Sequence, residues 1–187
     1  FRGFSTFNLW SPSPHFSSSP VLATQENLHD VTAALTTVAE NFDAETFDWT
    51  SVRPCGLLYH CMRPVVGRSF TCGKILAHAR SQITAFREKK GVRITVFKVG
   101  ITSNPPQRFL SYLDQGFDSM WVISKSHSVD SIQMLEAACI SHFSSHVGCR
   151  NQHESGGEGA LNKGNAPEPP FFLYVTGGRA DQPRRVG

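Results

Sequence analysis

The sequence predicts an α/β fold: a short central β-sheet flanked by helices, with an irregular N-terminal arm and one extra N-terminal helix. Three observations lead there. Short apolar runs, rich in β-branched and aromatic residues, alternate with segments whose apolar residues recur at helical spacing. The order reads helix, strand, helix, strand, helix, strand, helix, strand, with no internal repeat. A hydrophobic content of 40% over 187 residues is enough to fill a core, which sets the chain apart from disordered sequences.

Residues 1–26 form the arm. They are rich in Ser, Pro and Phe without a sustained period. Phe4, Phe7, Trp10 and Phe16 are too many large apolar groups for a pure linker, so the arm is expected to lie along its own domain or a neighbour. Residues 27–50 form an amphipathic helix and a polar connector, with Leu28, Val31, Leu35, Val38 and Phe42 on the apolar side. Residues 51–176 form the main domain, and 177–187 a basic tail.

Within the domain, Gly56-Leu57-Leu58-Tyr59-His60-Cys61-Met62 reads as a strand stopped by Pro64. Residues 73–90 read as a helix with Ile75, Leu76, Ala79, Ile83 and Phe86 on one face, and Gly91 suits its C-terminal end. Val92 to Val99 is the second strand. Asn104 is the expected N-cap of the next helix, with Pro105 at its first position and Gln107 closing a capping box. That helix runs to about Gln115, where Gly116 stops it. Met120 to Ser124 is a third strand. Asp130 with Gln133 opens a helix that buries Ile132, Leu135, Cys139, Ile140 and Phe143. Residues 144–169 are a long Gly-, Asn- and Ser-rich loop, and Phe171 to Val175 a last strand.

The net charge of +3 hides an asymmetry. Residues 1–50 hold one basic residue, Arg2, against six acidic ones; residues 51–187 hold 17 basic and nine acidic. A basic main domain is compatible with a polyanionic partner such as nucleic acid. Five cysteines without a CxxC pair do not form a disulfide framework and point to reduced thiols in an intracellular compartment. No apolar run reaches the length of a membrane span. The opening at Phe1 without a methionine points to a processed or truncated chain. The acid-free stretch Phe1 to Pro20 is read either as the remnant of an organelle-targeting region, for a plastid or a mitochondrion, or as an arm that docks on a partner.

The most telling stretch is Val96-Phe97-Lys98-Val99-Gly100-Ile101-Thr102-Ser103-Asn104-Pro105-Pro106-Gln107-Arg108-Phe109, a strand-turn-helix joint with an arginine in the helix's first turn. Glu136 follows within a second helical pattern, in Met134-Leu135-Glu136-Ala137-Ala138. With Gly56-Leu57-Leu58-Tyr59 as a first motif and Phe97-Lys98-Val99-Gly100 as a second, residues 55–145 resemble the GIY-YIG nuclease superfamily, closest to its phage-related branch. The resemblance implies metal-dependent phosphodiester cleavage of nucleic acid. It implies Glu136 as ligand of one Mg2+ or Mn2+ ion, Arg108 as stabiliser of the charged phosphate, and Tyr59 as base or water-positioner. Lys98 and Arg108 would contact nucleic acid.

Each of these residues also has an ordinary reading. Arg108 would be a surface arginine at a helix start, Glu136 a solvent-facing helix residue, and Tyr59 a half-buried strand aromatic. Lys98 would be an edge-strand lysine that discourages pairing. Lys98 also stands where the family's second tyrosine would, and the helix at 73–90 is inserted where relatives have a short hairpin turn. These departures imply an alternative: a catalytically degenerate module, used as a structural or binding subunit of a larger organellar complex of protein or nucleic acid. A family asparagine after the glutamate would be Asn151, Asn162 or Asn165. A separate pattern, Cys139-x2-His142-x3-His146-x2-Cys149, has ligand types that suit zinc, although Cys139 falls on the apolar helix face.

Overall fold

In the computed structural model, the residues described are 25–59, 71–88, 94–151 and 168–179. They form an α/β fold in which helices cover both faces of one mixed sheet. The helices are α1 (Gln25–Glu40), α2 (Cys72–Arg87), α3 (Pro105–Leu113) and α4 (Val129–Phe143). The strands are β1 (Leu57–Tyr59), β2 (Val96–Thr102), β3 (Phe117–Ser126) and β4 (Phe171–Gly178).

The expected order of elements is the observed one, with shifted bounds. Helix α1 starts inside the segment read as arm, and residues 1–24 lie outside the described residues. So do 60–70, 89–93, 152–167 and 180–187, which include His60 to Met62 of the expected first strand, Gly91, Asn162, Asn165 and most of the basic tail. Strand β2 does not stop before Gly100 but runs through it to Thr102. Strand β3 is twice as long as expected: it begins at Phe117, where an irregularity in its pairing with β4 takes up Asp118, and runs on to Ser126. Strand β4 continues past residue 176 to Gly178. Helix α4 is capped by Ser128, whose side chain accepts from Ser131 N, and not by Asp130.

The sheet order is β1-β3-β4-β2. Strand β1 runs parallel to β3, while β4 is antiparallel to both its neighbours. The two motif-bearing strands, β1 and β2, therefore lie at opposite edges with two strands between them. No hairpin joins them. Helix α2, read as an insertion, is a wall of the core, with Ala79, Ile83 and Phe86 buried.

Strand alternation sorts the core into two layers. Against α2 and α4 lie Phe97, Val99, Ile101, Trp121, Ile123, Phe171, Leu173 and Val175. Against α1 and α3 lie Leu57, Phe117, Met120, Val122, Phe172 and Tyr174. Helix α1 presents Leu35 and Ala39 as its buried row, and Phe42 continues it into a ring cluster with Phe47, Trp49 and Phe172. The extra helix is thus part of the core and not an appendage. Lys125 pairs with Glu45 at 2.6 Å, tying the connector to β3; the exposure of Glu45 keeps its worth at or below about 1 kcal/mol.

Two asparagines join parts distant in sequence. Asn104 caps α3 by accepting from Gln107 N at 3.0 Å and donates to Ala39 O at the end of α1, also at 3.0 Å. Pro105 takes the first helical position, as expected, where its missing N–H costs nothing. Asn151 accepts from Val99 N at 3.0 Å and donates to Val99 O at 2.7 Å. Its amide thus substitutes for a neighbouring peptide on the outer edge of β2. Phe97 N donates to Gly148 O and Arg150 N to Phe97 O, both at 2.9 Å, so residues 148–151 cover that edge.

Asn151→Ala removes both side-chain bonds to Val99 and leaves two peptide groups of β2 unpaired. Chemical denaturation should show a loss of about 1–3 kcal/mol. An unchanged midpoint would mean that water or a neighbouring peptide replaces the amide at no cost.

Candidate functional site

The site is built around Gly100. A Cβ there would collide with the hydroxyl and ring of Tyr174, directly opposite on β4. The glycine is needed as a seat for a phenol, and not for a turn. Tyr174 is buried, and its hydroxyl lies 3.0 Å from that of Tyr112 on α3. Tyr112 stands at the edge of the core, 9% exposed. Arg108 precedes it by one helical turn, so both project from the same side of α3.

Burial pushes the Tyr174 hydroxyl well above the usual phenol range. Neighbouring Tyr112 pushes the same way, the positive charge of Arg108 opposes, and the negative charge of Glu136 adds to the rise. Arg108 and Glu136 are therefore both within electrostatic reach of one buried phenol. They reach it from different sides. Arg108 belongs to α3, on one face of the sheet. Glu136 belongs to the buried row of α4, with Ile132, Cys139, Ile140 and Phe143, on the other. Glu136 is 4% exposed, so it is a core carboxylate and not the solvent-facing residue of its ordinary reading.

The other sequence candidates fall elsewhere. Tyr59 lies in the cross-strand row Tyr59, Val122, Tyr174, Gly100, on the same face as Tyr174. Two strand spacings put it about 10 Å away. Its ring stacks on Trp49, with centroids 4.5 Å apart and planes at 13°. The structure thus keeps Arg108 and Glu136 on opposite faces of the sheet, and Tyr59 on the Tyr174 face two strands from Gly100. Lys98 is half-buried on β2, opposite Thr176 and two residues before Gly100, on the Tyr174 face. Asn151 serves the β2 edge.

The zinc pattern is not assembled as a site. Among the described residues, no group of three or more His, Cys, Asp or Glu side chains is placed to hold a metal ion. Cys139 is fully buried in the core, and burial pushes its thiol up to about 12, far from the thiolate a metal needs. Cys149 instead places its sulfur 3.6 Å from Asn151 Oδ1.

Sequence reasoning missed Tyr112 and Tyr174. The signal was present: a tyrosine one turn after Arg108, and a lone tyrosine amid the apolar run of the last strand. Only the pairing of β4 with β2 joins them.

A phenol held neutral by burial adds stability that is complete below its unfolded value, about pH 10, and is lost as pH climbs from there towards the raised folded value. Stability should therefore fall above about pH 10, and Tyr174→Phe should flatten that fall. In an absorbance titration, one of the three tyrosines should ionise only as the protein unfolds. Three phenols titrating freely in the folded protein would contradict the placement of Tyr174. Gly100→Ala should cost about 1–3 kcal/mol by overpacking against the Tyr174 ring.

In comparisons with known proteins, no family model, no curated protein and no solved structure matches this chain.

Proposed function

We propose that the chain is a GIY-YIG-like domain that acts on the phosphodiester backbone of nucleic acid, with Arg108 and Glu136 as its central pair. The observation that carries this reading is the joint of β2 and α3, where Gly100 seats the Tyr174 phenol, Tyr112 meets it at 3.0 Å and Arg108 stands one helical turn before Tyr112; Glu136 lies across the sheet. A cation and a carboxylate are the groups that phosphoryl chemistry requires.

Glu136 would hold a single Mg2+ or Mn2+ ion. One carboxylate can hold Mg2+, which keeps much of its shell as water and phosphate oxygen, so binding would require the buried Glu136 carboxylate to become accessible. Such an ion supplies Lewis-acid charge neutralisation at the phosphate. Arg108 adds a fixed positive charge on the α3 side. Tyr112, at the core edge and fixed by Tyr174, offers a phenol where Lys98 has replaced the family tyrosine. Lys98 and Arg108 would also hold the nucleic-acid backbone.

A second reading has its own observations. Tyr59 is stacked on Trp49 two strands away, and Glu136 is a core residue. A module that has kept the fold and lost cleavage would look like this, used as a binding or structural subunit of an organellar assembly. No helix among the described residues is long and apolar enough to cross a membrane, which suits either role.

Purified protein should cut mixed DNA or RNA substrates in Mg2+ or Mn2+, and EDTA should stop it. Glu136→Gln and Arg108→Ala should each lower the rate at least about 100-fold while circular dichroism stays native. Cutting unaffected by either substitution would reject the assignment. Binding without cutting would establish the degenerate module.

A further inference from the structure

The histidines of the zinc-like pattern have another use. His142 lies in the last turn of α4, and His146 in the turn that follows. Both rings rest on Phe143, with centroids 4.7 and 5.1 Å from it, and stand 6.0 Å from each other. Phe143 itself is buried, so the imidazoles sit on a rigid support.

Arg80 approaches from α2, which packs against α4. It is half-buried, and its Nε is fully buried without a hydrogen-bond partner among the described residues. His146 Nδ1 is in the same condition. Among the described residues no carboxylate pairs with Arg80, His142 or His146. Desolvation, Arg80 and His146 all hold His142 below its usual range, and no acid offsets them. The nearest acid on α4 is Glu136, which acts on Cys139 and not on His142.

Gathering three cationic or protonatable groups with no carboxylate paired to them among the described residues is unfavourable, and a buried guanidinium Nε without a hydrogen bond adds to the cost. Such an arrangement makes sense when an anion completes it. We propose that Arg80, His142 and His146 form a phosphate-oxygen site that holds a backbone phosphate of nucleic acid on the α2–α4 side of the domain. His142 lies six residues along α4 from Glu136, about 9 Å. At about 3.4 Å per nucleotide, that is two to three nucleotides from the centre described above. The site rests on the nucleic-acid reading above but needs no cleavage, and serves a cutting or a non-cutting domain equally.

The test uses the full chain, a labelled DNA and a labelled RNA oligonucleotide, Arg80→Met, and the double variant His142→Gln/His146→Gln, whose first histidine is exposed. Fluorescence anisotropy should show about a three- to tenfold loss of affinity in each variant, with the salt slope shallower by about one in Arg80→Met, which removes a fixed charge. The free Arg80→Met protein should melt at the same temperature as the wild type or higher, because an unpaired cation has gone. Inorganic phosphate should raise the melting temperature of the wild type but not of Arg80→Met. If that phosphate response disappears while oligonucleotide binding is unchanged, the site belongs to the free ion. Unchanged affinity, slope and phosphate response in both variants overturn the proposal. So does stoichiometric zinc in the wild type that is lost in the histidine double variant. Failure of cleavage in the Glu136 experiment leaves these readouts unaffected, so the two ideas fall separately.

Discussion

The seating of the Tyr174 phenol over Gly100 is the constraint on which the arrangement depends. It requires β4 beside β2, in a register that puts residue 174 opposite residue 100. That register fixes Tyr112 at hydrogen-bond distance and with it the rotation of α3 about its axis. The net energy of one such bond is only about 1 kcal/mol. Its larger effect is selective. A buried hydroxyl left without a partner costs about 1–3 kcal/mol, so packings of α3 that misplace Tyr112 are disfavoured. A one-residue slip of β4 would turn Tyr174 into the other layer, where no glycine makes room for it.

The two layers divide the work. On the α1–α3 side, aromatic rings, the Asn104 link and the Lys125–Glu45 pair hold the extra helix and the connector in place. The acids of that connector are occupied locally. Asp43 accepts from Glu45 N and Thr46 Oγ1, Asp48 from Thr50 N and Oγ1, and these bonds hold both carboxyls below their usual range. On the α2–α4 side, a layer that is apolar except for Glu136 is bordered by Arg80, His142, His146 and Arg87, the last lying over Phe97 at 4.8 Å from the ring centre. A phosphate held at Arg80, as proposed, would be separated from the acidic connector by the thickness of the sheet.

The fold class was legible because it rests on periodicity, which each segment carries alone. Ile132, Cys139, Ile140 and Phe143 repeat at helical spacing and are buried in α4 as read. The cap at Asn104 and the stop at Gly116, where φ is +84°, were readable from local chemistry. What periodicity cannot carry is strand order. Nothing in Leu57-Leu58-Tyr59 says that it pairs with Met120 to Val122 and not with β2. For that reason the sequence groups Tyr59 with Arg108 and does not single out Tyr174. The ends of β3 were misread for a related cause. Asp118 and Ser119 have turn chemistry, and only the irregular pairing with β4 keeps them in a strand. Glu136 has the opposite history. Its residue type suggests solvent, but its position in the row 132, 136, 140 places it in the core.

Asn151 has a further consequence, for how the chain can vary. Its side chain anchors the segment leaving α4 to β2, and β4 anchors the chain again from Phe171. The sheet is therefore complete whatever number of residues joins these two anchors. Doubling that number would cost only about 0.6 kcal/mol of closure entropy. Residues added between these two anchors should therefore leave the strand pairings of β2, β3 and β4 as they are.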